Sequence, residues 1–147
     1  MMQERLRSVG YKMTKGRRAI LDILINSEGH LSAEDIYFKA HSVHSKLGLA
    51  SVYRTLDILV RMGLVNNFDF KDGRTRYELA ESPGGRRHHH HLICTSCGKI
   101  IDYGDFSDKE VNLLRKTEKH LSAKYGFRIA NHSVNYFGLC GKCNKNE

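Results

Sequence analysis

The side chains best equipped for chemistry are two Cys-x-x-Cys pairs, Cys94-Thr95-Ser96-Cys97 and Cys140-Gly141-Lys142-Cys143, and a run of four histidines from His88 to His91. Each Cys-x-x-Cys turn lets two sulfurs reach one ion, and four thiolates close a tetrahedral Zn²⁺ site. With every position filled by protein, such a zinc holds a fold and performs no reaction. An iron–sulfur centre, a redox dithiol and two unrelated buried pairs are the alternatives. The lack of a thioredoxin-like βαβ context counts against the redox one. Structural disulfides do not suit a reducing cytosol, which is the expected compartment.

The histidines run straight into a predicted strand that ends at Cys94, so they are more than a solvated polar tract. Successive residues of a strand face opposite sides: His89 and His91 point one way, His88 and His90 the other. One run therefore feeds two metal sites. Imidazole nitrogen with carboxylate oxygen suits Fe²⁺, Mn²⁺ or Zn²⁺, and affinity alone favours zinc over iron.

Apolar periodicity and turn residues predict what positions these groups. Residues 2 to 9 place Met2, Leu6 and Val9 on one helical face, ended by Gly10. Thr14 caps a second helix carrying Ala19, Ile20, Ile23 and Leu24, and Ser32-Ala33-Glu34-Asp35 starts a third that reaches about His44. Leu49 to Met62 is a fourth, with Val52, Leu56, Leu59 and Val60 turned inward and Gly63 as its stop. Two short strands follow, Leu64 to Phe70 and Arg74 to Leu79, around Lys71-Asp72-Gly73. Helices followed by a hairpin make a winged helix-turn-helix, which lays the last helix before the wing in the DNA major groove. On that helix Ser51, Tyr53, Arg54, Asp57 and Arg61 remain free to face DNA.

Glu81 to Arg87 contain the chain's one proline and two adjacent glycines, which is linker composition. The expected division is a DNA-binding domain over 1–80, a hinge over 81–88 and an α/β metal-binding and dimerisation domain over 89–147. In the latter, strands Leu92 to Cys94 and Lys99 to Tyr103 flank the first cysteine turn. A helix capped by Ser107 then carries Val111, Leu114, Leu121 and Tyr125 to Gly126, and Phe127 to Leu139 returns as strand. The expected fold class is α+β. A unit of about 60 residues buries too little surface to be comfortable alone, so both a staple and a homodimer interface are expected.

Composition is globular, with 40% hydrophobic and 27% charged residues. No apolar run approaches the roughly 20 residues of a membrane span, and the opening residues lack a secretory core, so a cytoplasmic location and no membrane partner are expected. Net charge is +8, from 24 Lys and Arg against 16 Asp and Glu, which favours an anionic partner. Arg5, Arg7, Lys12, Lys15, Arg17 and Arg18 crowd the first 18 residues against a lone acid, Glu4, and place Lys12, Lys15 and Arg17 among the expected DNA contacts.

Four motifs in this order carry a specific likeness: Gly29-His30-Leu31-Ser32-Ala33-Glu34-Asp35, Ala50-Ser51-Val52-Tyr53-Arg54-Thr55-Leu56, His89-His90-His91-Leu92-Ile93-Cys94, and Asn131-His132 ahead of Cys140. Over nearly its whole length the chain resembles the ferric uptake regulator (Fur) family. That resemblance implies a metal-responsive, dimeric, DNA-binding transcription regulator, most often a repressor of metal-uptake genes acting on a palindromic duplex operator. It implies a regulatory site at His30, Glu78, His89, His91 and Asp102 that bridges the two domains, and a second site at His88, His90, His132 and Glu110. Lys12 matches the residue that reaches toward the minor groove, and Tyr53 and Arg54 match recognition-helix contacts. Two departures stand out: the segment between Glu78 and His89 is longer than in better-known members, and His90 stands where many relatives have an acid.

An ion bound by all five regulatory ligands would pin one domain to the other and so couple metal to DNA affinity. Fe²⁺ is the leading regulatory ion and iron-dependent repression the leading reading. Peroxide sensing, which the Asp at 102 fits, comes next with His30 and His89 as the oxidisable ligands, and zinc sensing is third. Two readings from other classes are a zinc hydrolase, for which no HExxH-like arrangement is present, and a zinc-ribbon RNA-binding protein, which would leave the wing and His30 unexplained.

Overall fold

The computed structural model describes residues 2–80 and 88–146, so the expected hinge over 81–88 lies outside the described residues except for His88. The chain divides into two compact units, Met1–Arg86 and Arg87–Glu147.

The first unit contains α1 (Met2–Ser8), α2 (Lys15–Asn26), β1 (Leu31–Ser32), α3 (Ala33–His41), α4 (Leu49–Arg61), β2 (Val65–Asp69) and β3 (Thr75–Leu79). The Thr14 hydroxyl accepts the Arg17 N–H at the head of α2. Ser32 and Asp35 exchange side-chain bonds with each other's backbone N–H in a capping box at the head of α3. Leu6, Ile20, Leu24, Ile36, Val52, Leu56, Leu59 and Val65 are buried together, one stripe from each element. At about 1.5–3 kcal/mol per fully buried aliphatic side chain, this cluster dominates the unit's stability.

Three sequence expectations need correction here. The third helix stops at His41 rather than about His44, because Val43 and His44 both donate to the Ala40 carbonyl and the Ser42 hydroxyl takes that of Lys39. On α4 the buried set is Val52, Thr55, Leu56 and Leu59; Thr55 takes the inward place expected of Val60, which is half-buried. A third strand, β1, joins the wing and makes a sheet of order β1-β3-β2. Two residues are too short for any alternation to register, and this strand exists only through its antiparallel pairing of Leu31 with Tyr77 and Ser32 with Arg76.

The second unit contains β4 (His90–Cys94), β5 (Ile100–Tyr103), α5 (Asp108–Tyr125) and β6 (Asn135–Gly138), with a short 3₁₀ turn at Asn144–Asn146. The sheet order is β5-β4-β6, with β5 antiparallel and β6 parallel to the central β4. α5 is capped by Ser107 and ends on Gly126, whose φ of 61° is left-handed. The predicted strand from Phe127 to Leu139 is a strand only over 135–138. Pairing begins where the His91 N–H reaches the Val134 carbonyl, and the residues before it form an irregular run that delivers His132. No described side chain of α5 is buried.

Candidate functional site

The two cysteine turns close on each other. Cys94 ends β4, the Gly98 N–H donates to its carbonyl, and Gly98 has a φ of 74°, so the chain reverses and brings Cys97 back beside it. Cys140 and Cys143 follow β6, the parallel neighbour of β4, and so arrive at the same end of the sheet. The four sulfurs lie within 4.8 Å of one another, with Cys97 and Cys140 at 3.8 Å. Sulfurs bonded at 2.3 Å to one tetrahedral zinc stand about 3.8 Å apart, so the set fits that ion. Backbone N–H groups at Cys97 and Cys140 hold the Cys94 thiol down to about 6, and the Cys140 thiol is lowered by backbone N–H at Cys143. The bonds that Cys143 makes to Cys140 and Cys97 push its own thiol up to about 12, so four sulfurs this close ionise together only beside a cation, and zinc would satisfy that requirement.

The expected regulatory ligands fall into two sets, one per unit. In the first unit His30 immediately precedes β1 and Glu78 lies on β3. The β1–β3 pairing sets Leu31 against Tyr77 and so brings the His30 Nε2 to 3.1 Å from the Glu78 carboxylate. Both side chains are at most 5% exposed, and Phe68 and Phe70 meet the His30 ring edge-on. A carboxylate buried beside an imidazole, walled by aromatics, is an expensive arrangement that a bound cation repays. In the second unit His91 pairs with Asp102 across β4 and β5, and His89 lies on the same side two residues earlier. The Asp102 carboxylate is 3.8 Å from the His91 Nε2 and 3.9 Å from that of His89. The Asn135 amide oxygen takes the Nδ1–H of His91 at 3.0 Å, which leaves the Nε2 lone pair for an ion.

On the opposite face of β4, His88 and His90 meet His132. Their Nε2 atoms are 2.9, 3.1 and 3.2 Å apart. Gly104, just after β5, makes room for this: a Cβ there would stand 3.1 Å from the His88 carbonyl oxygen. His90 is buried, and burial followed by the neighbouring His88 and His132 rings lowers its pKa, favouring the neutral form that ligates. Glu110, expected as a fourth ligand, does not join the three nitrogens. Its carboxylate accepts from the Tyr103 hydroxyl at 2.6 Å, and that hydroxyl meets the outer nitrogen of His90 at 3.2 Å. Glu118 went unnoticed in the sequence: it bonds the His132 Nδ1, although no motif marks it among the acids of α5.

Over residues 8–137 the chain matches the model of the ferric uptake regulator family. It is 36% identical to the ferric uptake regulation protein of Bacillus subtilis (strain 168), an alignment covering 99% of this chain and 94% of that protein. The chain belongs to the ferric uptake regulator family. Its fold is similar to that of the Helicobacter pylori ferric uptake regulator, a structure described as having three functional metal binding sites (TM-score 0.74, 26% identity, 97% and 89% covered). It is likewise similar to that of the Pseudomonas aeruginosa regulator solved with manganese (TM-score 0.72, 28% identity, 95% and 97% covered). Ferric uptake regulators are DNA-binding transcription regulators, not enzymes, and this chain is a regulator of that family.

α4 turns Tyr53, Arg54, Asp57 and Arg61, all expected to face DNA, to solvent while Val52, Leu56 and Leu59 anchor it. Arg54 donates to the Ser51 hydroxyl at 3.3 Å, and the Tyr53 hydroxyl donates to Glu34 on α3 at 2.9 Å. Lys12 and Lys15 are exposed, whereas Arg17 is half-buried, bonded to the Lys12 carbonyl and held near the Tyr11 ring. Arg17 therefore shapes the Lys12 loop as well as carrying charge.

Proposed function

We propose that this protein is an iron-responsive repressor of metal-uptake genes that binds a palindromic duplex operator as a homodimer. Its regulatory Fe²⁺ would be held by His30 and Glu78 from one domain and by His89, His91 and Asp102 from the other. The observation that carries this reading is the buried His30–Glu78 pair on the β1–β3 edge of the DNA-reading unit. It is half of a ligand set, and the donors that would complete it, two imidazoles and a carboxylate, are gathered in the second unit. The ion supplies coordination bonds alone; the switch lies in what the ligands belong to. His30 and Glu78 move with the recognition helix, and His89, His91 and Asp102 move with the unit proposed to dimerise.

Dimerisation is supported by what the second unit leaves open. Leu92, Ile101 and Tyr136 stand in register on one face of the sheet at 40–51% exposure, and no α5 side chain is fully buried. A second copy covers such a face and sets two recognition helices at a fixed spacing for a two-fold operator. The four-cysteine zinc braces this unit, and the three-histidine centre is a second metal site.

Shift assays with operator DNA at fixed salt, with and without Fe²⁺, test the proposal. A metal–DNA coupling of about 1–3 kcal/mol raises affinity about 5- to 150-fold, and His89→Ala abolishes the increase. Affinity that ignores both the metal and the substitution sinks it. Peptide mass spectrometry of the iron form after peroxide separates the branches: added oxygen on His30 or His89 makes this a peroxide sensor, and its absence leaves iron sensing.

A further inference from the structure

Tyr53 and Arg54 are neighbours on α4 and are held in different ways. Arg54 bonds within its own helix, to the Ser51 hydroxyl at 3.3 Å, and keeps the reach of a long side chain. Tyr53 is tied at its far end to another element: its hydroxyl meets the Glu34 carboxylate of α3 at 2.9 Å, across 19 residues of chain. We propose that Glu34 is a positioning residue for DNA recognition, engaging the Tyr53 O–H so that this side chain reads base edges and is kept off phosphate. This rests on the reading of Tyr53 as a DNA contact and names the residue that sets its specificity.

An ionised carboxylate can only accept, so the phenol must donate in this bond. Glu34 is kept ionised by its own backbone N–H, then by the Tyr53 and Ser32 hydroxyls and the charge of Arg74, which together lower its pKa. The same bond raises the pKa of Tyr53, so the phenol keeps its proton. What remains for DNA is the ring and the oxygen lone pairs. A phosphate oxygen needs a donor and carries charge of the same sign as Glu34, so it is refused on both counts. The N7 and O6 acceptors of guanine are refused for want of a donor, whereas the amino hydrogens of adenine and cytosine suit a lone pair and a thymine methyl suits the ring. Phosphate contacts position a protein without reading sequence, so a side chain barred from them serves discrimination more than affinity. Both ends of the bond are anchored. Val52 and Leu56 of α4 are buried together with Ile36 of α3, and the Ser32–Asp35 capping box fixes the turn on which Glu34 stands. A tyrosine turns about only two side-chain torsions, and a bond at its hydroxyl settles the direction of the ring before DNA arrives.

The test compares binding of the full chain, with Zn²⁺ and Fe²⁺ present and at fixed salt, to a duplex that the wild-type protein selects from a random pool and to a scrambled duplex of equal length. Glu34→Ala frees the hydroxyl to donate and is expected to lower the ratio of the two affinities about 5- to 150-fold, the range for one mismatched base pair. Glu34→Gln still offers the hydroxyl an acceptor and retains most of the ratio; a loss equal to that of Glu34→Ala would make the effect one of charge alone and overturn the proposal. In a Tyr53→Phe background Glu34→Ala changes the ratio within about twofold, because the two residues act through one bond, and a full effect there overturns the proposal as well. Carbon NMR of the Tyr53 ring in the DNA-free chain follows the bond itself. Its titration moves to lower pH in Glu34→Ala while that of the other tyrosines stays, and a Tyr53 titration that does not move counts against the tether. If Tyr53→Ala leaves both affinities unchanged, Tyr53 is no DNA contact and the reading beneath the proposal falls.

Discussion

Residues 2–80 bury a connected apolar cluster running from Leu6 to Tyr77, whereas among the described residues of 88–146 only Ile93 and Cys94 are buried apolar side chains. The second region is shorter, but the two differ far more in what holds them. The first is stapled by hydrophobic contact, with aliphatic residues supplied by α2, α3 and α4 and the wing. The second spends its interior on ligands: His90 and His91 occupy inward places that Ile or Val would take in an ordinary sheet of this size. A small unit that gives its core to imidazoles and thiolates is expected to depend on ions, and on the proposed partner copy to cover its open sheet face. On the function proposed above, that construction suits a sensor, because stability in the second unit would follow metal supply while the first stays folded.

The contrast can be broken most directly by removing zinc. Metal bound to a structural thiolate site contributes on the order of 10–16 kcal/mol of apparent binding energy to folding. Chelation or Cys94→Ser is therefore expected to strip hydrogen-exchange protection from β4, β5 and β6 and leave that of α4 intact. Equal loss in both units would mean they are not separately supported. A core truncation should do the reverse. Leu56→Ala, at a fully buried position, is expected to cost about 2–5 kcal/mol in denaturant unfolding of the first unit, with zinc content by elemental analysis unchanged.

A smaller effect examines the proposed connection between the halves. His30→Ala should remove the metal-dependent gain in operator affinity, about 1–3 kcal/mol, while metal-free affinity stays within twofold of wild type in the same shift assay. A large change without metal would place His30 in the reading of DNA itself. Smallest is the cap on α3. Ser32→Ala loses the bond to the Asp35 N–H and is expected to cost about 1 kcal/mol in urea melts. No shift in zinc affinity should accompany it, because the capping box touches none of the cysteines.

Much of the candidate chemistry was legible in the residues alone. The spacing of Cys94, Cys97, Cys140 and Cys143 implies a four-sulfur cluster, and the alternation of a strand separates His89 and His91 from His88 and His90. Caps and periodicity place α2, α3, α4 and α5, since such signals act over a few neighbouring residues and need no distant partner. The tertiary structure alone decided what depends on pairing across the chain. β1 is a strand only because β3 lies beside it, and that pairing is what sets His30 against Glu78. Glu110 meets the Tyr103 hydroxyl beside His90 and Glu118 meets the His132 ring, and nothing in an amphipathic helix marks which of its acids will do so. Local sequence determines which donors a residue offers; only long-range packing determines which atom each donor faces, because that choice is made by contacts between segments far apart in the chain.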